Sequence, residues 1–450
     1  MASFSTELGI GPSALSKMLS NVAERRQIPG AQLCLARGEH IMLATAGTAN
    51  TATGAPVTAN TRFQLGSTTK PMLAFITHQL ANEGLIDLDA PLPSFLDGDP
   101  IAGWMADRGI TANMLLSHQS GLCGDAFLDL GDTQAAELDL VRKAATFPML
   151  HAPGEDTSYC NLGYVLLGYV LSRLTETTWP DLLRRLITQP LGSDTLDPWP
   201  APNAKETVSG HIGGTPASRN DLPASNGAAG TTLIGTAKDL CVFGTWLLNS
   251  LKGRGPLNSD AAIAMSSLAA PIAPNERGLG FGRGLMIYQE GQNTVFGHDG
   301  LTVGQQAFLR LFPRTDISLA FLGNGGDMRS AAADLFAALA HETGTEIPPP
   351  TYPSASEPKL QSRRYDRLSA SLLIEATGDG PSLSIRNHEA WAADVYGPCE
   401  GPFDITEHPM MGTCIHKPGS DLPLGLHLTD SAAYLGMRRY NLAESHRDES

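Results

Sequence analysis

The run Pro348-Pro349-Pro350-Thr351-Tyr352-Pro353 divides this 450-residue chain in two. Consecutive prolines lack backbone donors and clash with a preceding helical turn. They enter neither a sheet ladder nor a helix interior, and form an extended spacer. The predicted organisation is a large domain over residues 1–347, a linker over 348–355 and a small domain over 356–450. The first stretch is long enough to bury a sizeable core. Leu15, Met18, Leu19 and Val22 recur at helical spacing within 13–26, and 162–174 reads as a buried helix. Residues 307–312 and 317–324 read as strands, and 331–341 as a helix. Beyond the spacer the pattern is all β. Residues 371–376 and 382–385 flank Gly378-Asp379-Gly380, a hairpin signal, and 425–428 and the single run 433–438 read as later strands. Residues 197–228, rich in Pro, Gly, Asn and Ser, read as surface loop. The 78–89 stretch reads as a solvated connection and 441–450 as a frayed polar tail.

Charge and composition exclude several functions. The net charge of −15 would repel a phosphate backbone, and no Lys/Arg cluster offsets it, so no nucleic-acid partner is expected. No apolar run approaches the roughly 18 residues needed to span a bilayer, so no membrane partner is expected either. Residues 1–10 lack the basic start and apolar core of a secretory signal, which predicts a cytoplasmic protein. The six cysteines, Cys34, Cys123, Cys160, Cys241, Cys399 and Cys414, are scattered without a Cys-x-x-Cys pair. They are predicted to be reduced, mostly buried thiols without metal. No metal or organic cofactor is indicated.

Three short motifs carry chemistry. In Ser67-Thr68-Thr69-Lys70, a helix starting at the serine puts Ser67 and Lys70 one turn apart on one face. An amine against a hydroxyl can make serine nucleophilic without histidine. Lys70 must then be neutral, which partial burial and a neighbouring positive field can achieve. Tyr159 and Asn161 are two residues apart and face the same way in an extended segment. Cys160 between them points away and reads as packing. Gly297-His298-Asp299-Gly300-Leu301-Thr302 precedes a strand.

Ser-x-x-Lys, Tyr-x-Asn and His-x-Gly, in that order, resemble the serine enzymes of the class C β-lactamase and penicillin-binding protein group. The flanks Ile28-Pro29-Gly30-Ala31, Leu115-Leu116-Ser117-His118-Gln119-Ser120-Gly121-Leu122, Pro190-Leu191-Gly192 and Ala228-Ala229-Gly230-Thr231-Thr232 fall in the same order, so the resemblance covers roughly residues 15–345. It implies an α+β fold of the β-lactamase/DD-peptidase type, with helices flanking an antiparallel sheet. It also implies a small lipocalin-like β-barrel behind the spacer. It assigns Ser67 as nucleophile, Lys70 as either the base itself or the charge that holds a Tyr159 phenolate, Tyr159 as proton carrier, and Asn161 as the amide that orients Lys70 and holds a substrate carbonyl. His298 stands where lysine is commoner and is expected to donate a hydrogen bond to Tyr159 or a substrate carboxylate. The oxyanion hole would be the backbone N–H groups of Ser67 and Leu301, with Gly300, Thr302 and Gly230 lining the substrate. His118, Arg62 and Asp299 read as scaffold or rim.

The resemblance implies serine acyl transfer through an acyl-Ser67 intermediate. One branch releases or cyclises a peptidyl thioester held on a carrier protein in natural-product biosynthesis. Carboxylesterase and D-aminopeptidase or amide-hydrolase activities are the enzyme alternatives. A binding or sensor protein that does not turn over is the alternative from another class. Acyl donor, acceptor, stereochemistry and oligomeric state are not specified by the sequence.

Overall fold

Helix α1 (Pro12–Arg25) begins with proline at its first position, where a missing N–H costs no helical bond. Leu15, Leu19 and Val22 follow at i, i+4 and i+7 and are buried, each contributing roughly 1.5–3 kcal/mol of apolar burial. The other helices that matter for the site are α2 (Lys70–Asn82), α3 (Asn161–Thr175), α4 (Ala237–Leu251) and α5 (Met328–Thr343). The computed structural model describes residues 8–99, 101–106, 108–131, 135–198, 207–218, 222–273, 275, 278–343, 363–368, 370–377, 380–388, 401–408, 412–415 and 424–443. The predicted linker, Cys399 and residues 444–450 lie outside them.

The main sheet contains β1 (Gly30–Arg37), β2 (His40–Asn50), β3 (Ala55–Pro56), β4 (Ala270–Pro271), β5 (Gly280–Phe281), β6 (Met286–Gln289), β7 (Val295–Thr302), β8 (Gln305–Phe312) and β9 (Ile317–Gly323). Their order is β3-β2-β1-β9-β8-β7-β6-β5-β4, with every neighbouring pair antiparallel. Strand β1 shows why both faces are covered. Its Leu33 and Leu35 join the core shared with α1 and α5, while Cys34 and Ala36 join the larger core under α2, α3 and α4. Alternation by two, with both faces apolar, produces a strand buried on both sides.

The second unit is a closed barrel of eight strands in sequence order: β10 (Arg363–Asp366), β11 (Ala370–Thr377), β12 (Gly380–Asn387), β13 (Phe403–His408), β14 (Gly412–Ile415), β15 (Leu424–Leu428), β16 (Ala432–Leu435) and β17 (Arg438–Leu442). Strand β17 pairs back to β10, so the barrel leaves no open edge. Tyr365, Leu372, Ile374, Leu383, Phe403 and Ile415 fill its interior.

Four local expectations are corrected. The run 433–438 is not one strand: β16 ends at Leu435, the chain turns at Gly436 (φ +59°), and β17 begins at Arg438. Glycine takes the left-handed conformation without penalty, and Met437 is drawn into a cluster with Tyr159 and Phe281. Asn441 and Leu442 belong to β17 and pair with Asp366 and Tyr365 rather than fraying. In 197–228, Ser225, Asn226 and Gly227 are buried despite their polarity. Ser225 Oγ donates to the Leu128 carbonyl and His211 Nδ1 to the Asn324 carbonyl, so these two side chains are satisfied internally. In 78–89, α2 runs on to Asn82 with His78 and Leu80 buried, and beyond it Leu85 is exposed as expected while Ile86 turns inward at 3% exposure.

Candidate active site

Gly66 takes φ +54°, and a Cβ there would lie 2.7 Å from the Leu301 nitrogen. Only glycine lets the tight turn Gly66–Thr69 close against β7. Thr68 Oγ1 and Thr69 Oγ1 donate to the Leu65 and Gly66 carbonyls, both at 2.7 Å, and hold that turn where it passes into α2. Lys70 is the first residue of α2, and its Nζ lies 2.9 Å from Ser67 Oγ. Ser67 is partly exposed and Lys70 fully buried.

Lys70 Nζ has two further neighbours, Asn161 Oδ1 and the Ala229 carbonyl, each at 2.7 Å. The Asn161 amide orientation follows from its other end. Nδ2 donates to Asp125 Oδ1 at 2.8 Å, and a carboxylate only accepts. Asn161 Oδ1 and Ala229 O are therefore pure acceptors facing the amine. A neutral amine has two N–H donors and one lone pair. With both donors taken, the lone pair is left for the Ser67 hydroxyl. Burial pushes the Lys70 pKa well below the ordinary lysine range; Asp125 opposes this and Arg438 adds to it.

Tyr159 is buried, and its backbone N–H donates to the Met437 carbonyl at 2.9 Å. Lys70 Nζ and Arg438 Cζ each lie 5.0 Å from its ring centroid. Cys160 is extended and its Sγ accepts the Gly163 N–H at 3.2 Å, capping α3. Burial pushes this thiol up to about 12, which makes it a packing residue. His118 braces the same segment. Its Nδ1 accepts the Cys160 N–H at 3.0 Å, its carbonyl accepts the Ser158 N–H at 3.0 Å, and its ring packs 4.5 Å from that of Tyr159. It is scaffold, as expected.

His298 departs from expectation. Its Nδ1 lies 2.7 Å from the Asp299 carbonyl, which only accepts, so Nδ1 carries the proton. Nε2 is buried and has no hydrogen-bond partner among the described residues. Burial, with Lys70 adding, lowers this imidazole to about 3. His298 therefore offers a lone pair and not the predicted donor. Asp299 turns the other way and accepts from Tyr288 at 3.0 Å and Arg310 at 2.6 Å, clamping β6, β7 and β8.

Strand β6 pairs with β7 only as far as Gly297, so the edge of β7 beyond it faces the Ser67 turn. A Cβ on Gly300 would lie 2.0 Å from Leu65 O and 3.2 Å from Ser67 N, and one on Gly230 (φ +115°) 2.1 Å from Gly66 O. Close backbone packing accounts for both glycines and sets the Ser67 turn directly against β7 at Gly300 and Leu301. Thr302 is 1% exposed, with Oγ1 lacking a partner among the described residues. Arg62 is buried scaffold.

Sequence reasoning missed four contributors: the Ala229 carbonyl, Asp125, Met437 and Arg438. Asp125 Oδ2 accepts from Arg438 Nε at 2.6 Å and from Arg367 Nη2 at 2.8 Å, both from the barrel. Nothing in the residues around Asp125 separates it from a surface aspartate. The described cysteines, Cys34, Cys123, Cys160, Cys241 and Cys414, are buried. No described helix is long and apolar enough to cross a membrane.

A family model described as Beta-lactamase matches residues 15–342. Penicillin-binding protein 4 of Amycolatopsis lactamdurans is 31% identical over 344 residues, covering 74% of this chain and 90% of that protein. Esterase EstB of Burkholderia gladioli is 30% identical over 204 residues, 42% of this chain and 52% of the esterase, so the match spans about half its length. Among solved structures, SurE superposes with a TM-score of 0.76 at 24% identity, covering 96% of this chain and 99% of SurE. The D-amino acid amidase of Ochrobactrum anthropi SV3 superposes at 0.62 with 22% identity, covering 73% and 98%. These superpositions show the fold: antiparallel sheet with helices and, for SurE, nearly the whole chain.

Proposed function

The chain belongs to the β-lactamase family, a family of serine hydrolases, and on that premise we propose that it is an acyl-transfer enzyme working through an acyl-Ser67 ester. The observation that carries this reading is the Lys70 environment. Two pure acceptors, Asn161 Oδ1 and Ala229 O, occupy the amine's donors and leave its lone pair 2.9 Å from Ser67 Oγ.

Ser67 Oγ attacks the acyl carbon while its proton passes to Lys70 Nζ. The carbonyl oxygen takes negative charge and is held by the N–H groups of Ser67 and Leu301, each contributing ~3 kcal/mol. The tetrahedral carbon then expels the thiolate, alkoxide or amine, which is protonated from Lys70 by way of Tyr159. In the second half water or an amine attacks the ester, gives up its proton along the same route, and Ser67 leaves protonated.

We infer that the donor is a peptidyl ester or thioester, carrier-bound or free, rather than a β-lactam. A neutral imidazole at His298 brings no positive charge to a β-lactam carboxylate. The likeness to SurE, solved also with D-Leu, and to a D-amino acid amidase motivates testing D-configured residues on either side of the scissile bond.

The test is intact mass after mixing with a peptidyl thioester, a D-aminoacyl amide and a nitrophenyl ester, beside Ser67→Ala. An adduct in the wild type, with turnover reduced on the order of 10⁴-fold or more in Ser67→Ala, is expected. Fast acylation by the thioester, with decay to a cyclic or amide product, supports release by aminolysis. Turnover of simple esters alone favours a carboxylesterase. No adduct with any donor overturns acyl transfer.

A further inference from the structure

We propose that Asp125 is a positioning residue for the Lys70 amine, and that the barrel, by holding Asp125 between Arg367 and Arg438, is a working part of the catalytic site. This rests on the reading of Ser67 and Lys70 above and goes beyond it.

The connection is continuous. Lys70 Nζ bonds Asn161 Oδ1 at 2.7 Å, Asn161 Nδ2 bonds Asp125 Oδ1 at 2.8 Å, and Asp125 Oδ2 is held at 2.6 Å by Arg438 and 2.8 Å by Arg367. The Asp125 and Arg367 side chains are 3% and 0% exposed. The pairings are therefore unscreened, and a carboxylate at this depth persists only with such partners. The turn at 436–437 supplies more. The Met437 carbonyl fixes the Tyr159 backbone, and Arg438 stacks on its ring. Arg439 and Tyr434 both bond Asp156, and Asn441 Nδ2 donates to the Leu150 carbonyl at 3.0 Å, so the turn is anchored on either side.

Two consequences follow for the amine. Asp125 determines which end of the Asn161 amide faces Lys70. If Asn161 flipped, its NH₂ would confront the amine and displace the acceptor that directs the lone pair at Ser67. The charges also act in opposite senses. The groups facing Lys70 are Asp125 and Arg438, the Cys160 thiol, the neutral imidazoles of His118 and His298, and the rings of Tyr159 and Tyr164. Asp125 favours the ammonium, Arg438 disfavours it, and Arg367 acts through Asp125.

The experiment titrates the Lys70 ¹⁵Nζ resonance by NMR in the full-length protein, assigned with Lys70→Arg, alongside the pH dependence of Ser67 acylation. Asp125→Asn keeps an acceptor for Asn161 but removes the charge, and should move the Lys70 titration down by on the order of one pH unit. Arg438→Gln should move it up by a similar amount, and Arg438→Lys should restore it towards wild type. A purely structural contact would lower activity in both variants without moving the titration in opposite directions. Shifts of the same sign, or none, overturn the proposal. If Arg438→Gln does not fold, Asp125→Asn decides: a downward shift supports the proposal and an unmoved titration overturns it. The NMR readout needs no substrate. Opposite shifts without any acyl adduct would leave this inference standing and remove the functional reading.

Discussion

A lysine ammonium only donates, whereas an amine can also accept, and everything around Lys70 bears on which form is present. Burial lowers its pKa well below the usual range, so the neutral form dominates at a pH where a free lysine is still charged. The rate of Ser67 acylation should rise with pH along one acid limb set by Lys70. His298 adds no limb of its own, because an imidazole lowered to about 3 stays neutral from about pH 5 to about pH 9. His298→Gln should change the rate but leave the midpoint of the limb where it is. A midpoint that moves with this substitution, measured from rate against pH, would show that His298 titrates in the working range. The juxtaposition of Ser67 and Lys70 was legible from a spacing of three residues. The state of His298 was not, since the sequence shows a histidine but not which ring nitrogen meets the Asp299 carbonyl.

Where the Ser67 turn meets β7, two backbone segments approach more closely than side chains allow. Gly66→Ala should therefore damage catalysis more than its size suggests. It places a Cβ 2.7 Å from the Leu301 nitrogen, in a left-handed conformation that alanine resists. Displacing one oxyanion donor in this way should cost on the order of 100-fold in kcat. A steady-state assay with a nitrophenyl ester checks it, and a loss under about tenfold would count against Leu301 as a donor. At this scale the sequence was most readable. Helical spacing predicted α1, the apolar run 162–174 predicted α3 as a buried helix, and short apolar runs predicted β8 and β9. The reading failed at Gly436, where an apolar run looked continuous because Met437 fits a strand pattern. Met437 is apolar because it packs on Tyr159 and Phe281 of the other domain, and no local period reports that.

Across the whole molecule the two units are joined by buried charge. Arg367→Met leaves Asp125 with one guanidinium in place of two and should destabilise the protein by about 3 kcal/mol in urea unfolding. Adding Asp125→Asn should recover part of that loss, because the uncompensated charge is then gone. Full additivity of the two substitutions would mean that they do not share an interaction. The proline run at 348–353 predicted a second unit and the strand signals after it predicted β structure, because proline stereochemistry and strand periodicity are local properties. The Ser-x-x-Lys, Tyr-x-Asn and His-x-Gly residues were equally visible, since each motif spans a few positions. What orients and balances those residues was not visible. Arg438 meets Asp125 across 313 positions, and Lys70 meets Ala229 O across 159. Such pairs form only when the packed core and the closed barrel bring distant backbone together. Long-range charge pairing leaves no mark on residue spacing, so the acceptor set around Lys70 and the barrel's hold on it belong to the tertiary fold.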